Sequence, residues 1–273
     1  MKKTQLFFVI LMALFFNSCE DVVNVDLNTA PPKLVIEASI NWQKGTLGNE
    51  QKIKLTTTTN YYGNVIPKVS GVTVFVKNSS NVTFNFIEKP NTGEYFCANF
   101  IPIINQTYTL TIISNGQTYT ATETLKPVAP LTKIIQNNLG GFDGKTVEIK
   151  AYFNDPATEE NYYLYGYKYQ NPLEDKYYSG EDTFFQGNEF FSASQNDDLK
   201  AGDKIAITHS GISKTYSSYI QVLVSIAGNS NGAPFQSPAA TVRGNIINTT
   251  DFDNYALGYF SLSEADTKNY VVQ

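Results

Sequence analysis

The sequence predicts a mainly β protein, and three observations carry that prediction. Between Pro31 and Lys126 short runs alternate apolar and polar residues, each bounded by Gly, Asn, Pro or Ser. The pair TYTLTIIS and QTYTATETL is joined by Asn115-Gly116, a dipeptide that tolerates the positive φ angles of a type I′ hairpin. Beyond Pro127 and Pro130 the chain returns to strand-like runs rich in tyrosine, and one segment there has helical spacing.

Taken in order, residues 1–18 read as a signal peptide. Lys2 and Lys3 supply a positive end, and Leu6 to Phe16 is an unbroken apolar run. That run is too short to cross a bilayer, which takes about 20 apolar residues. It ends in Phe16-Asn17-Ser18-Cys19, which looks like a lipobox with Phe16 where Leu is usual. The resemblance implies cleavage before Cys19 and acylation of its thiol. Two or three acyl chains, at about 0.8 kcal/mol per buried methylene, make an anchor that hardly dissociates. Glu20 and Asp21 come next and resemble the surface-export signal of Bacteroidetes-type lipoproteins. The expected location is the outer membrane, lipid-anchored and facing the cell exterior, with residues 19–30 as a flexible tether.

Removing residues 1–18 takes away Lys2 and Lys3 but no acid, so the net charge moves from -5 to -7 and 255 of the 273 residues remain. Nucleic acid is excluded as an expected partner, because phosphate neutralisation needs clustered Lys and Arg. With Cys19 acylated, Cys97 is the one remaining cysteine and no intramolecular disulfide can form. Cys97 in GEYFCANF is expected to be a small buried side chain.

Seven strands are expected in the first half: LVIEASI, QKIKLTTTT, GVTVFVKN, VTFNFIEK, GEYFCANF, TYTLTIIS and QTYTATETL. In the sixth, Tyr108, Leu110 and Ile112 share one face and Thr107, Thr109 and Thr111 the other. Seven strands over residues 31–128 fit an immunoglobulin-like or transthyretin-like β-sandwich. KPVAPL marks a boundary, and residues 129–273 form a second β-rich domain with one or two short helices. Its expected strands are GKTVEIKAYFNDP, NYYLYGYKYQ, DKIAITHS, ATVRGNII and ALGYFSLS. In SKTYSSYIQVLVSIAG, Tyr216, Tyr219, Ile220, Leu223 and Ile226 recur at helical spacing, with Ser213 placed to cap and Gly228 to terminate. Residues 171–203 read as an irregular connection.

YFNDPATEENYYLYGY, PFQSP followed by RGNIIN, and ALGYFSLS resemble, in that order, the Bacteroidetes lipoproteins grouped as domain of unknown function 4249. The lipobox, KLVIEASI, VSGVTVFVKN and GQTYTATETL extend the resemblance over nearly the whole chain. None of these motifs is catalytic. The resemblance implies an accessory part in uptake beside a TonB-dependent receptor, with Cys19 the one functional residue it carries over.

Few residues could perform catalysis. His209 is the single histidine, in AITHSGIS at the end of an expected strand, and its adjacency to Ser210 does not make a dyad. Zinc lacks its Cys and His ligands. Asn196, Asp197, Asp198 and Asp203, and separately Asp251, Asp253 and Asn254, offer oxygens for calcium but not the spacing of a calcium loop, and read as turn residues. No metal and no cofactor is expected. The sequons at Asn78, Asn81, Asn105 and Asn248 also read as turns.

Aromatic density is the more informative signal. Tyr163, Tyr165, Tyr167 and Tyr169 fall on one strand face, as core tyrosines do. Tyr177, Tyr178, Phe184, Phe185, Phe190 and Phe191, interspersed with acids in the irregular connection, are the candidate contact surface for a sugar, peptide or protein. The expected function is a non-catalytic binding or accessory module at the cell surface. A structural or adhesive outer-membrane component is the alternative, and a carboxylate-pair glycoside hydrolase the third class.

Overall fold

The computed structural model describes residues 31–60, 65–141, 144–171, 173–228 and 242–273. Residues Pro32–Gln273 form one compact unit. All seven strands expected in the first half are present: β1 (Leu34–Gln43), β2 (Gln51–Thr57), β3 (Thr73–Asn78), β4 (Thr83–Lys89), β5 (Glu94–Cys97), β6 (Thr107–Ser114) and β7 (Gln117–Thr124). The β6–β7 hairpin turns at Asn115 and Gly116 with φ of 49° and 74°, as a type I′ turn requires. Asn81 and Asn105 also hold positive φ, 65° and 61°, and Asn78 and Asn248 accept backbone N–H bonds within their own turns. Asparagine therefore serves the turns here.

Two layers arise because β4 belongs to both. Its first residues, Thr83–Phe86, pair with β3, and its last, Ile87–Lys89, pair with β5. The strand thus carries the chain from β3-β6-β7 to β1-β2-β5, and the alternating inward residues meet in one core. Ile36, Ile40, Ile53, Leu55, Val76, Phe84, Phe100, Tyr108 and Leu110 are sealed there, each worth about 1.5–3 kcal/mol relative to exposure. Cys97 lies in the same core, and burial pushes its thiol pKa up. The first half is the expected β-sandwich.

The second half adds β8 (Leu131–Gly140), β9 (Thr146–Asn154), β10 (Tyr162–Tyr169), β11 (Lys176–Glu181), β12 (Glu189–Asn196), β13 (Lys204–Ile212), α1 (Lys214–Gly228), β14 (Ile247–Asn248) and β15 (Leu257–Val271). A four-stranded layer, β11-β10-β13-β15, faces a three-stranded one, β12-β9-β8. The molecule is mainly β, with a single helix among the described residues. Ser213 caps that helix by accepting the Tyr216 N–H at 3.1 Å.

Four expectations are corrected. Residues 171–203 are no irregular connection, since β11 and β12 both lie within them. LTKIIQNNLG, unassigned from sequence, is strand β8. Of ATVRGNII only Ile247 is in a strand among the described residues. His209 is not at a strand end: it lies inside β13 and is 1% exposed.

The closing strand serves both halves. Val35 to Gln43 of β1 pair in parallel with Leu257 to Ala265, and residues Ala265 to Val271 pair antiparallel with β13. Phe260 and Leu262 fill the first core, whereas Val272, just past the strand, fills the second. The Pro-rich boundary is bound to the same strand. Glu264 donates its N–H to the Lys126 carbonyl and accepts from Val128 N–H, both at 2.9 Å, and Asp266 accepts from Leu131 N–H at 2.7 Å. A methyl on Gly211 would strike the Pro127 carbonyl, so only glycine lets this segment lie so close.

Candidate functional site

The inward face of β10 explains where the tyrosines go. Tyr163, Tyr165, Tyr167 and Tyr169 are all buried, as expected of a core face. Three hydroxyls find partners: Tyr163 donates to Asp155 at 2.5 Å, Tyr167 bonds Ser192 at 2.8 Å and Tyr169 bonds Ser194 at 2.6 Å. The Tyr165 hydroxyl has none. Burial is the first cause that raises all four phenols above the ordinary tyrosine range.

His209 sits against these rings, with its centroid 4.2 Å from Phe153, 4.6 Å from Tyr163 and 5.3 Å from Tyr165. Neither ring nitrogen has a hydrogen-bond partner. Desolvation lowers its pKa to about 3, with the Ala129 backbone acting in the opposite direction. A neutral imidazole sealed from water and reaching no hydroxyl cannot act as the base of a triad.

The buried acids are committed to structure as well. Asp155 accepts from Tyr163 and from Gly187 N–H at 2.9 Å, while Asp182 accepts from Asn161 N–H at 2.7 Å. Burial raises the Asp155 carboxyl, with the Tyr163 bond pulling the other way. Glu123 accepts from Thr124 N–H and from the hydroxyls of Ser213 and Tyr259, whose phenol burial pushes up to about 12. Asn196, Asp203 and Asp251 cap backbone N–H groups two or three residues away, as turn residues do. Among the described residues no three Asp, Glu, His or Cys side chains gather as metal ligands.

The six aromatic candidates separate into core and surface. Phe185 is 8% exposed and stacks on Phe190 at 3.8 Å, and both pack on Phe153. Phe191, half-buried, lies against Tyr152 at 5.2 Å. Tyr178 donates to the Ala193 carbonyl and accepts the Ala193 N–H, at 3.1 and 2.7 Å, and so closes the outer edge of β12. Two are left outside: Phe184, 95% exposed on the turn before β12, and Tyr177, 49% exposed on β11. Cys19, Glu20 and Asp21 lie outside the described residues.

Tyr177 is held by its neighbour. Gly166 is its partner across the β10–β11 ladder, and a methyl there would come within 3.0 Å of the Tyr177 ring edge. The ring therefore lies over the glycine. The same row continues through Thr208 on β13 to Thr267 on β15. Helix α1 covers the adjoining stretch of this face, since Ser179 Oγ donates to the Ser217 carbonyl at 3.3 Å. Tyr177, two residues along the strand, lies past that cover.

The family model of DUF4249, a domain of unknown function, matches residues 20–269. The chain belongs to that family. No curated protein matches the sequence. Among solved structures, a cytokine receptor complex is 8% identical with TM-score 0.25, over 66% of this chain and 83% of its own. A DUF4785 family protein from Legionella pneumophila is 11% identical with TM-score 0.26, and the chain spans 54% of its length while 67% of this chain is covered. A two-domain fibronectin type III segment of chicken tenascin is 9% identical with TM-score 0.22, over 66% of this chain and 90% of its own.

In this DUF4249 protein the outward row around Gly166 escaped the reading of the sequence. One signal was present: the glycine interrupts YLYGYKY on the face opposite the four tyrosines, where a missing side chain marks a close approach. Its partner Tyr177 could not be paired with it while β11 was unassigned.

Proposed function

We propose that the protein is a surface-tethered, non-catalytic binding or accessory module, anchored through acylated Cys19 in the outer membrane and acting beside a TonB-dependent receptor in uptake. The observation that carries the binding role is the exposed Tyr177 ring, fixed over Gly166 on a rigid sheet, because a rigid aromatic gives contact area at low entropic cost. The non-catalytic part is supported by the sealed, unpartnered His209 and by buried carboxylates bound to backbone and tyrosine. Glu20 and Asp21 support export to the exterior.

Affinity purification from detergent-solubilised envelopes tests the reading. Recovery of a TonB-dependent receptor is the expected result. Recovery of fibre or assembly subunits instead would move the protein to the structural or adhesive class, which the one-sided pairing of the edge strand β8 favours. Cys19→Ser should release the chain from the envelope fraction, and Glu20→Gln with Asp21→Asn should protect it from protease added to intact cells.

A further inference from the structure

The row Tyr177, Gly166, Thr208 and Thr267 crosses four strands on one face. Its hydrogen-bond polarity follows from counting protons. Thr267 Oγ1 donates to Gln43 Oε1 at 2.9 Å, and its hydroxyl carries one hydrogen. In the 3.0 Å bond between Thr208 and Thr267 the donor is then Thr208. Thr208 has no proton left and offers lone pairs only. Thr208 Cβ and the Tyr177 ring edge flank the Gly166 notch, 3.8 and 3.0 Å from where a methyl would sit.

A group that fits beside an aromatic ring must present an apolar face, and one that satisfies Thr208 must donate a hydrogen bond. Tyr177, Gly166, Thr208 and Thr267 carry no charge, and the Asp175 carboxylate acting on the Tyr177 phenol disfavours an anion, so a neutral ligand suits the row. A pyranose ring meets all three conditions, with C–H groups on its face and hydroxyl donors on its edge. Adjacent strands are about 4.8 Å apart, so the ring and the Thr208 and Thr267 hydroxyls span about two sugar units.

We infer that this row is a binding platform for a neutral saccharide, stacked on Tyr177 and donating a hydroxyl hydrogen bond to Thr208. The inference deepens the proposed binding role and rests on it. Phe184 is no part of the platform, and the missing side chain at Gly166 is what leaves room for the Tyr177 ring edge on this face.

The test is calorimetric titration of the mature chain carrying Cys19→Ser with maltohexaose, cellohexaose, mannohexaose and xylohexaose. At least one should bind. Tyr177→Ala should weaken that sugar about tenfold or more and Thr208→Val about fivefold, whereas Tyr177→Trp should retain it. Tyr177 is half-exposed and Thr208 partly buried, and an unchanged melting temperature confirms that both variants fold. Absence of heat from all four sugars at millimolar concentration, or equal affinity in Tyr177→Ala, overturns the platform. So does Tyr177-dependent binding of an unstructured peptide without any sugar. These titrations involve no receptor, so failure to recover one would sink the uptake role and leave the platform standing.

Discussion

The two halves of the molecule seal themselves by different chemistry. In the first, inward positions are aliphatic or aromatic, and the buried phenols of Tyr95 and Tyr108 reach out to backbone groups of neighbouring loops. In the second, one layer contributes tyrosines and a histidine, and the facing strand β12 contributes Ser192 and Ser194 to meet them. An aliphatic core tolerates loss of one contact as a cavity. A hydroxyl-matched core is less forgiving, because a buried polar atom without its partner costs about 1–3 kcal/mol.

That contrast can be broken by experiment. The largest effect is expected from Phe153→Ala, which removes the hub on which Tyr163, Tyr165, Phe185, Phe190 and His209 pack. It should cost about 3–5 kcal/mol in urea unfolding, as should Phe260→Ala in the first core. If the closing strand couples the halves, each variant lowers one common transition seen by circular dichroism and by tyrosine fluorescence. Two separate transitions would show the halves to be independent.

Acid comes next in size. His209 has a folded pKa of about 3 against an unfolded 6.5, so the unfolded chain binds the extra proton between those values. Stability is therefore full above pH 6.5 and falls as pH drops towards 3, by about 5 kcal/mol at most from this group alone. The groups facing the ring are Tyr163 and Tyr165 from β10, Phe153 from β9 and, across the ladder on β15, Asp266. Asp155, whose pKa is raised, has the opposite slope within its own range, and reduces the net change. His209→Phe should flatten the pH dependence of the urea midpoint between pH 6 and 4. An unchanged slope would assign the acid limb to other groups.

Smaller effects distinguish matched hydroxyls from fillers. Tyr163→Phe leaves Asp155 without its 2.5 Å donor and should cost about 2 kcal/mol. Tyr167→Phe strands the Ser192 hydroxyl and should cost about 1 kcal/mol, whereas Tyr167→Phe combined with Ser192→Ala should recover most of it. Additive losses in that double variant would refute the matching. At the small end, Tyr177→Ala should change stability by no more than about 0.5 kcal/mol.

The same contrast accounts for what could be read in the sequence. Strands β1–β7 announce themselves because an aliphatic inward face leaves period-two alternation, as in Tyr108, Leu110 and Ile112. EFFSASQN conceals β12 because its inward Ser192 and Ser194 look like turn residues, and their purpose appears only opposite Tyr167 and Tyr169. LTKIIQNNLG conceals β8 because an edge strand with register shifts at both ends keeps no period. His209 looked peripheral, since nothing in AITHSGIS shows that Phe153 will cover it. For the contact surface, residue type was legible and exposure was not. Of six aromatics, Tyr177 and Phe184 are exposed while Phe185 and Phe190 pack on Phe153, Tyr178 bonds Ala193 and Phe191 is half-buried against Tyr152. That division depends on strands β11 and β12, which were unassigned.

Pairing of Val35 with Leu257 joins residues at opposite ends of the polypeptide. Contacts of such sequence separation slow folding, because the long loop must close before they form. During synthesis neither core can be completed until the final fifteen-residue strand, Leu257–Val271, has left the ribosome. One strand thus acts as the shared keystone of two cores, and removing Leu257–Val271 is expected to leave both open and the chain unfolded.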